Sequence, residues 1–523
     1  MHDIVIENAR IVDGTGAPER SGTIAIRNGV IEKVTGPRSY ESPEVIDAQG
    51  KIVAPGFIDV SNHSDVHLTL FSQPSLKSLL HQGITTIIGG NCGSSLAPLV
   101  DGKAIESIQK WGKIDQVNVN WLRMKEYLDV MVSKQLSVNY ATMVGYSTVR
   151  RGFLKDEYRP LTEVELEGIL QLVDHSLKAG ALGVSMGLAF SHMQMADFHE
   201  IRQVAELIKK HNKVLSIHMR SDGERVIEAL EEVIKITRAT GVKTQISHIK
   251  ILGRKNWKYF DMFTEILNEA IYSEGLPILF DVFPYTANNS VLYLLLPEWV
   301  MEGGKDAMLE RLRDAELRER VIEDMKANNY DYARVMVSDA MIDRSILGKS
   351  IVEIAHNQGV SVEEALVNLT LASNGHARVI TQAIHEDHLK YFIKHPYSIV
   401  GTDGIGYDDT FAAKGGFDHP RCYGAMTKYL EEYVLPGIVS LEEGIAKLTS
   451  LPAKQYGIRE RGVIREGYVA DLVVIDPTKV HSRANFSNPT VYSEGIEEVI
   501  IAGHKVVHNG QFLDAYYGGV LKY

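Results

Sequence analysis

The middle of the chain alternates short apolar segments with longer stretches of helical periodicity. Apolar residues recur every three or four positions in the longer stretches, which predicts helices with one buried face. Regular alternation of strand and helix predicts a parallel sheet. The predicted strands are residues 57–63, 84–92, 139–146, 181–186, 214–218, 244–248, 277–283 and 397–403, and helices are predicted at Glu163–Leu177, Phe198–His211, Glu224–Ala239 and Tyr259–Ser273.

Eight strands in this length fit a closed barrel better than an open sheet. The predicted fold class is therefore α/β, with a (β/α)8 TIM barrel at its centre. An open doubly wound sheet is the structural alternative, which is weakened because no glycine-rich phosphate loop follows the first strand. A segment at about 291–338 breaks the alternation and is interpreted as an insertion. A lid over the catalytic end of the barrel and a surface helical hairpin are both open interpretations of it.

The two ends of the chain have a different, strand-rich pattern. Ile4–Ile6 and Thr23–Ile26 are β-branched runs, and Asn28-Gly29 favours a hairpin turn. Ala470–Ile475 and Val499–Ile501 have the same character near the other end. We therefore expect one small β-sandwich built from both termini. The predicted domains are 1–52 (N-terminal part of the sandwich), 53–425 (barrel with its insertion) and 426–523 (linking helices and the rest of the sandwich).

Composition narrows the class of protein. A chain of 523 residues is too long for a single ordinary core. Its net charge of −12 argues against a nucleic-acid surface, which needs clustered Lys and Arg. Two cysteines exclude a disulfide framework and indicate a reducing compartment. Without a signal peptide pattern or an apolar stretch of ~20 residues, we expect a cytoplasmic protein with no membrane partner.

Several predicted strands end on a residue that can bind or serve a metal. Cys92, His218 and His248 are the predicted ligands, and strand ends of a barrel converge at one face. Thiolate and imidazole suit zinc, and three protein ligands leave a position open for water. Singly, each is more often a buried or hydrogen-bonded residue. Asp403 is the candidate general base, with a turn aspartate before glycine as the alternative.

Eight short motifs occur in a particular order along the chain. They are Val53–Asp59, Gly90–Gly93, His218–Ser221, Ser247–Lys250, Phe283–Ala287, Thr402–Gly404, His419–Arg421 and Gly467–Val474. Together they resemble the N-acyl-D-amino-acid deacylases (D-aminoacylases) of the amidohydrolase superfamily, over essentially the whole chain. The resemblance implies a zinc-bearing barrel with a small β domain, a tight zinc on Cys92, His218 and His248, and a catalytic Asp403.

The chain departs from the family at the second metal position. In the family a His-x-His pair serves a weaker metal there; its second His matches His63, but the first is replaced by Ser61. A serine hydroxyl is a poor ligand for a transition metal beside imidazole. We therefore expect one tightly bound Zn²⁺ and a weak or absent second site. His63 is a weak ligand, a hydrogen-bond partner of the bound water, or a packed residue.

A substrate that bears a carboxylate needs a fixed cation in its site. Lys250, Arg421 and Arg220 are candidates because Arg binds carboxylates in a bidentate way and Lys acts as a point charge. For each, a surface or ion-paired base is the alternative. The resemblance supports Lys250, Arg421 and Tyr285 in this role, and gives Arg220 less support.

The predicted function is zinc-dependent hydrolysis of the amide bond of an N-acyl amino acid, of the D series by the resemblance. Two alternatives are open. One is hydrolysis of a cyclic amide such as a hydantoin, dihydropyrimidine or lactam by the same chemistry. The other is a barrel with altered or lost catalysis, which Ser61 and Tyr146 motivate as departures from the family pattern.

Overall fold

The computed structural model describes residues 2–102, 105, 117–155, 157–327, 331–340 and 342–523. The strands are β1 (Ile4–Ile11), β2 (Arg20–Arg27), β3 (Val30–Thr35), β4 (Val45–Asp47), β5 (Ile52–Pro55), β6 (Phe57–Asp59), β7 (Ile84–Gly89), β8 (Asn139–Thr142), β9 (Val144–Gly145), β10 (Gly183–Gly187), β11 (Val214–His218), β12 (Lys243–Ile246), β13 (Ile278–Val282), β14 (Ala287–Val291), β15 (Val335–Asp339), β16 (Arg378–Gln382), β17 (Ser398–Val400), β18 (Leu472–Ile475), β19 (Ile496–Ile501), β20 (His504–His508) and β21 (Gln511–Phe512).

The α-helices are α1 (Thr69–Ser72), α2 (Lys77–Leu80), α3 (Met124–Val132), α4 (Tyr146–Leu154), α5 (Glu163–Lys178), α6 (Phe198–Lys210), α7 (Val226–Thr240), α8 (Phe260–Asn268), α9 (Glu298–Met301), α10 (Gly304–Arg313), α11 (Ala315–Ala327), α12 (Ile351–Gln358), α13 (Val362–Ala372), α14 (Glu386–Lys394), α15 (Asp409–Ala413), α16 (Arg421–Tyr429), α17 (Leu441–Leu448) and α18 (Ser450–Tyr456). No described helix combines the length and apolar character needed to cross a lipid bilayer.

Two parallel sheets form the centre of the molecule. One has the order β17-β13-β12-β11-β10-β9, and the other has the order β6-β7-β8. β8 and β9 are separated by Met143 alone, so a single segment pairs with β7 on one side and with β10 on the other. Each of the eight predicted central strands overlaps an observed one, which confirms the alternating pattern. The fold is α/β with parallel sheets.

A buried carboxylate joins the segments that follow the two outermost parallel strands. Asp59, at the end of β6, accepts hydrogen bonds from Thr402 N at 2.9 Å and Thr402 Oγ1 at 2.5 Å. It also accepts from Asn62 Nδ2 at 2.9 Å and from Ser61 N at 3.3 Å. A parallel bridge between Asn62 and Gly404 lies beside it. Asp59 therefore holds the segments after β6 and β17 together.

Replacing Asp59 with alanine is expected to destabilise the fold. The substitution leaves four donors without their buried acceptor, and an unsatisfied buried group costs ~1–3 kcal/mol. We expect a total loss of about 3 kcal/mol or more, read as a lower urea midpoint of unfolding. Asp47→Ala, at an exposed position of β4, is the matched control. A midpoint for Asp59→Ala equal to that of the control would contradict this role.

Strands from both ends of the chain form one sheet. Its order is β21-β20-β19-β18-β5-β1-β2-β3, with β4 paired to β1. β5 and β18 pair antiparallel at the junction of the two halves. The turn between β2 and β3 falls on Asn28-Gly29 as expected. Because β5 ends at Pro55, this sheet extends slightly past the predicted boundary at residue 52.

A separate antiparallel sheet lies between β13 and β17 in the chain. Its order is β14-β16-β15. Helices α9–α13 and this sheet share one apolar core. Since β14 pairs with β16, the inserted segment runs from 287 to 382, longer than the predicted 291–338. The helices α12 and α13 have ordinary amphipathic patterns, which do not distinguish the helices of an insertion from those of a barrel. Residues 328–330 of the predicted insertion lie outside the described residues.

Candidate metal centre and catalytic site

Three of the predicted ligands converge in space. The ligand atoms of Cys92, His218 and His248 all lie within 4.8 Å of one another. Cys92 Sγ is 3.4 Å from His248 Nε2, and the two imidazole rings are nearly perpendicular with centroids 4.4 Å apart. Cys92 and His248 are buried, and His218 is partly exposed. The structure therefore brings together residues that are far apart in the sequence.

The backbone at the site is held in an unusual conformation. Cys92, His248 and Asp403 each follow a parallel strand and have φ of 50°, 37° and 47°. Left-handed conformations at non-glycine residues cost of order 1–3 kcal/mol each and cluster at functional sites. One support is visible: His248 N donates a hydrogen bond to Asp281 Oδ2 at 2.9 Å. All three side chains at these turns line the same cavity.

Gly90 allows the segment that carries Cys92 to approach its neighbour. Its φ is +73°, and a Cβ there would lie 2.2 Å from the carbonyl oxygen of Met143. Any other residue would force the backbone away from the β8–β9 segment. The glycine before Asn91-Cys92 is thus a requirement of close packing at the end of β7.

The chemistry of the three donors fits zinc. Burial alone would raise the pKa of the Cys92 thiol, but His248, His218 and His63 hold it well below its usual range. The thiolate is the form that binds metals. His218 Nδ1 is a buried atom without a hydrogen-bond partner. One thiolate and two imidazoles are a zinc donor set that leaves a coordination position open.

Asp403 lies between two bases at the same site. Its Oδ1 is 3.0 Å from His63 Nε2, and its Oδ2 is 2.6 Å from Arg421 Nη1. Burial opposes ionisation, yet Arg421, His248 and His63 together hold the pKa of Asp403 well below its usual range. Burial would lower the pKa of His63, but its contacts with Asp403 and Cys92 raise it to about 10. Both carboxylate oxygens of Asp403 therefore contact a basic side chain, and these contacts favour its ionised form.

Lys250 lies next to the predicted metal ligands. Its Nζ contacts Asp222 Oδ2 at 2.7 Å, His248 Nδ1 at 2.8 Å and the His248 carbonyl oxygen at 3.0 Å. The side chain is only 3% exposed. Lys250 is thus a buried cation whose position is fixed by several partners.

A cavity of about 1550 Å³ opens above these groups. Its wall contains the three predicted ligands together with His63, Lys250, Asp403 and Arg421. The inserted segment supplies another part of the wall, including Leu294–Leu296 and Met301. Residues of this segment therefore contribute an apolar part of the cavity wall.

Tyr285 and Arg220, which were also predicted to bind substrate, contact other parts of the protein. Tyr285 is buried against His419, with ring centroids 5.0 Å apart, and is not among the residues that line the cavity. Arg220 lines the cavity, but its guanidinium donates to Glu232 at 2.8 and 2.9 Å and to the carbonyl oxygens of Met193 and Ala196. The structure thus places Lys250 beside His248 and Arg421 beside Asp403, whereas Tyr285 and Arg220 have other partners.

Asp222 and His67 were not predicted as site residues from the sequence, and Ser61 is a departure from the family pattern. Asp222 and His67 line the cavity, and each lies four positions after a predicted site residue, His218 or His63. That spacing was the available signal. Ser61, by contrast, has a buried hydroxyl with no hydrogen-bond partner and is not among the cavity-lining residues.

A family model and a protein of known activity are similar to this chain in sequence. The model of the Amidohydrolase family matches residues 404–507. N-acyl-D-aspartate deacylase of Alcaligenes xylosoxydans xylosoxydans is 29% identical over 96% of this chain and 92% of its own.

Two solved structures match over the full length of both chains. N-acyl-D-glutamate deacylase of Bordetella bronchiseptica, solved with zinc and a phosphonate inhibitor that mimics the tetrahedral intermediate, has a TM-score of 0.84 at 29% identity. D-aminoacylase, in a study of its binuclear metal centre, has a TM-score of 0.84 at 28% identity. Over its full length the chain is similar to N-acyl-D-amino-acid deacylases of the amidohydrolase superfamily.

Proposed function

We propose that this protein hydrolyses the amide bond of N-acyl-D-amino acids and releases a carboxylate and a free amino acid. In this proposal a zinc ion is held by Cys92, His218 and His248. The observation that carries it is the convergence of these three side chains beside Asp403 at the wall of one cavity. The activities of the relatives named above support the choice of substrate class.

Asp403 is proposed as the general base and later the general acid. Bound zinc would supply an acidified water and polarise the acyl oxygen. The Asp403 carboxylate accepts the proton of the attacking water and delivers it to the leaving nitrogen. Arg421 and His63 keep the carboxylate ionised before the reaction, because both contact its oxygens. His63 is thereby assigned to Asp403 rather than to a second metal.

The same contacts support a proposal on the number of metal ions. The hydroxyl of Ser61 is a poor ligand, and both oxygens of Asp403 face basic groups. We therefore propose one tightly held zinc and a weak or absent second position.

Lys250 and Arg421 are proposed to bind the substrate carboxylate. Both line the cavity, Lys250 beside His248 and Arg421 beside Asp403. A carboxylate held there fixes the amide relative to the reacting groups, which lowers the entropic part of the barrier. Tyr285 is proposed to support this wall through its packing on His419 rather than to touch the substrate.

Replacing Lys250 with alanine is expected to weaken substrate binding. A hydrogen bond to a charged group is worth ~1.5–3 kcal/mol, so KM for an N-acetyl-D-amino acid should rise about tenfold or more. Steady-state kinetics at saturating zinc measure this. Lys255→Ala, at the exposed rim where Lys255 pairs with Glu224, is the control. An unchanged KM for acyclic substrates would remove Lys250 from the carboxylate site.

The architecture is proposed as a closed (β/α)8 barrel with a small β-sandwich. The shared β8–β9 segment and the Asn62–Gly404 bridge support closure of the two parallel sheets. The proposed domains are a β domain from 1–55 and the C-terminal strands after residue 471, a barrel from 56 to about 425 with its insertion at 287–382, and linking helices from 426.

A substrate panel tests the proposed function. Zinc-loaded enzyme is assayed with N-acetyl-D-amino acids, their L enantiomers, and hydantoin and dihydropyrimidine rings. Cleavage of the D series with little turnover of the L series is the expected result. Turnover of the rings alone would favour a cyclic amidase. Tight zinc with no turnover of any compound would favour a barrel that has lost catalysis.

A further inference from the structure

Asp222 is a buried acid to which the mechanism above gives no role. It lies in the loop between β11 and α7, lines the cavity, and its side chain is 9% exposed. One of its oxygens, Oδ2, is 2.7 Å from Lys250 Nζ and 3.9 Å from His218 Nε2. A single carboxylate oxygen thus faces both a predicted metal ligand and the cation proposed to bind substrate.

The backbone fixes the carboxylate in this position. The carbonyl oxygen of Asp222 accepts a hydrogen bond from Leu252 N at 2.7 Å. Ser221 Oγ accepts another from Gly223 N at 3.1 Å. The first bond ties the loop after β11 to the loop after β12, and the second shapes the turn around Asp222. The loops that follow His218 and His248 are therefore joined by a backbone hydrogen bond.

The arrangement matches how proteins orient metal-binding histidines. The ring nitrogen that does not bind the metal usually faces a carboxylate or carbonyl, which fixes the ring, and loss of that partner costs 10–100-fold in metal affinity. In His218, Nδ1 has no hydrogen-bond partner and Nε2 is the nitrogen that faces Asp222. His248 is held differently, because its Nε2 faces Cys92 Sγ and its backbone N donates a hydrogen bond to Asp281 Oδ2.

We propose that Asp222 is a positioning residue that acts on two functions at once. Its carboxylate faces His218 Nε2 across 3.9 Å and favours the ring orientation that leaves Nδ1 to zinc, which sets zinc affinity. It also holds the Lys250 ammonium at the cavity wall, where the substrate carboxylate binds. The second part rests on the proposed function, whereas the first part concerns zinc alone.

The test compares two acid-to-amide variants in adjacent ion pairs. Asp222→Asn is compared with Glu232→Gln. Glu232 pairs with Arg220, which lies two residues before Asp222 in the same loop, so the second variant removes the acid of a neighbouring ion pair. Zinc affinity is obtained by competition with a chromogenic chelator, and KM and kcat for an N-acetyl-D-amino acid are measured at saturating zinc. We expect Asp222→Asn to lose about 10–100-fold in zinc affinity and to raise KM more than it lowers kcat.

The controls separate positioning from general loop stability. Glu232→Gln is expected to leave zinc affinity within about twofold of wild type, and Asp222→Glu is expected to recover part of the loss because it keeps the charge. Thermal unfolding of each variant checks that the fold is intact. Asp222→Asn with unchanged zinc affinity, or with the same loss as Glu232→Gln, overturns the proposal, as does an unchanged KM. Failure of the proposed function would appear instead as no turnover by the wild type, with the zinc difference still present.

Discussion

Asp403→Ala is expected to lower kcat by about 10²–10⁴-fold while the purified variant keeps its zinc. The loss follows from the two proton transfers assigned to this carboxylate, to which alanine offers no substitute. Zinc is retained because Cys92, His218 and His248 supply the tight donors without it. Steady-state kinetics combined with metal analysis by mass spectrometry measure both quantities on the same preparation.

Asp408→Ala is the matched control for this experiment. Asp408 lies in the same loop after β17, where its side chain accepts a hydrogen bond from Thr410 N at the start of α15. Its replacement should change kcat little, because it has no place in the proposed proton transfer. Near-wild-type activity of zinc-loaded Asp403→Ala would contradict the assignment of the base.

Cys92→Ala is expected to lose both zinc and activity. Its thiolate is the anionic donor of the proposed set, and alanine leaves two neutral imidazoles to hold the ion. Removing the hydrogen-bond partner of a metal ligand costs up to ~100-fold in metal affinity. We expect removal of the Cys92 ligand itself to cost more. Activity should fall in proportion to zinc occupancy and recover only in part with added zinc. Chelator competition and kinetics over a range of zinc concentrations measure this.

Cys422 provides the control for a cysteine variant. It is likewise free and buried, and its Sγ accepts a hydrogen bond from Ile405 N at 3.3 Å. Cys422→Ala should therefore keep stoichiometric zinc and lose some stability at most. If Cys92→Ala also keeps stoichiometric zinc, sulfur is not a ligand and the proposed donor set is wrong.

The sequence predicted the central strands well because their apolar runs are short, separate and bounded by helical patterns. The same runs indicated the site, since strands of one parallel sheet place their ends together. His218 and His248 are found close in space for this reason, although 30 positions separate them.

Other features depend on contacts that a linear pattern does not contain. The pairing of β14 with β16 spans nearly 90 positions, so the full insertion was not visible. The direction of Tyr285 depends on the path of the loop after β13, which places the ring against His419 rather than at the cavity wall. Asp222 was overlooked because an acid four positions after a histidine is an ordinary pattern in a polar loop. Its role becomes visible only through its contact with Lys250, which lies in the loop after β12.

X-ray absorption at the zinc edge of the purified protein tests the central claim most directly. The account predicts one stoichiometric zinc with a single sulfur at about 2.3 Å and two imidazole nitrogens at about 2.0–2.1 Å, completed by a light oxygen donor. A zinc shell without sulfur, or protein that holds no stoichiometric metal after loading and desalting, would contradict it.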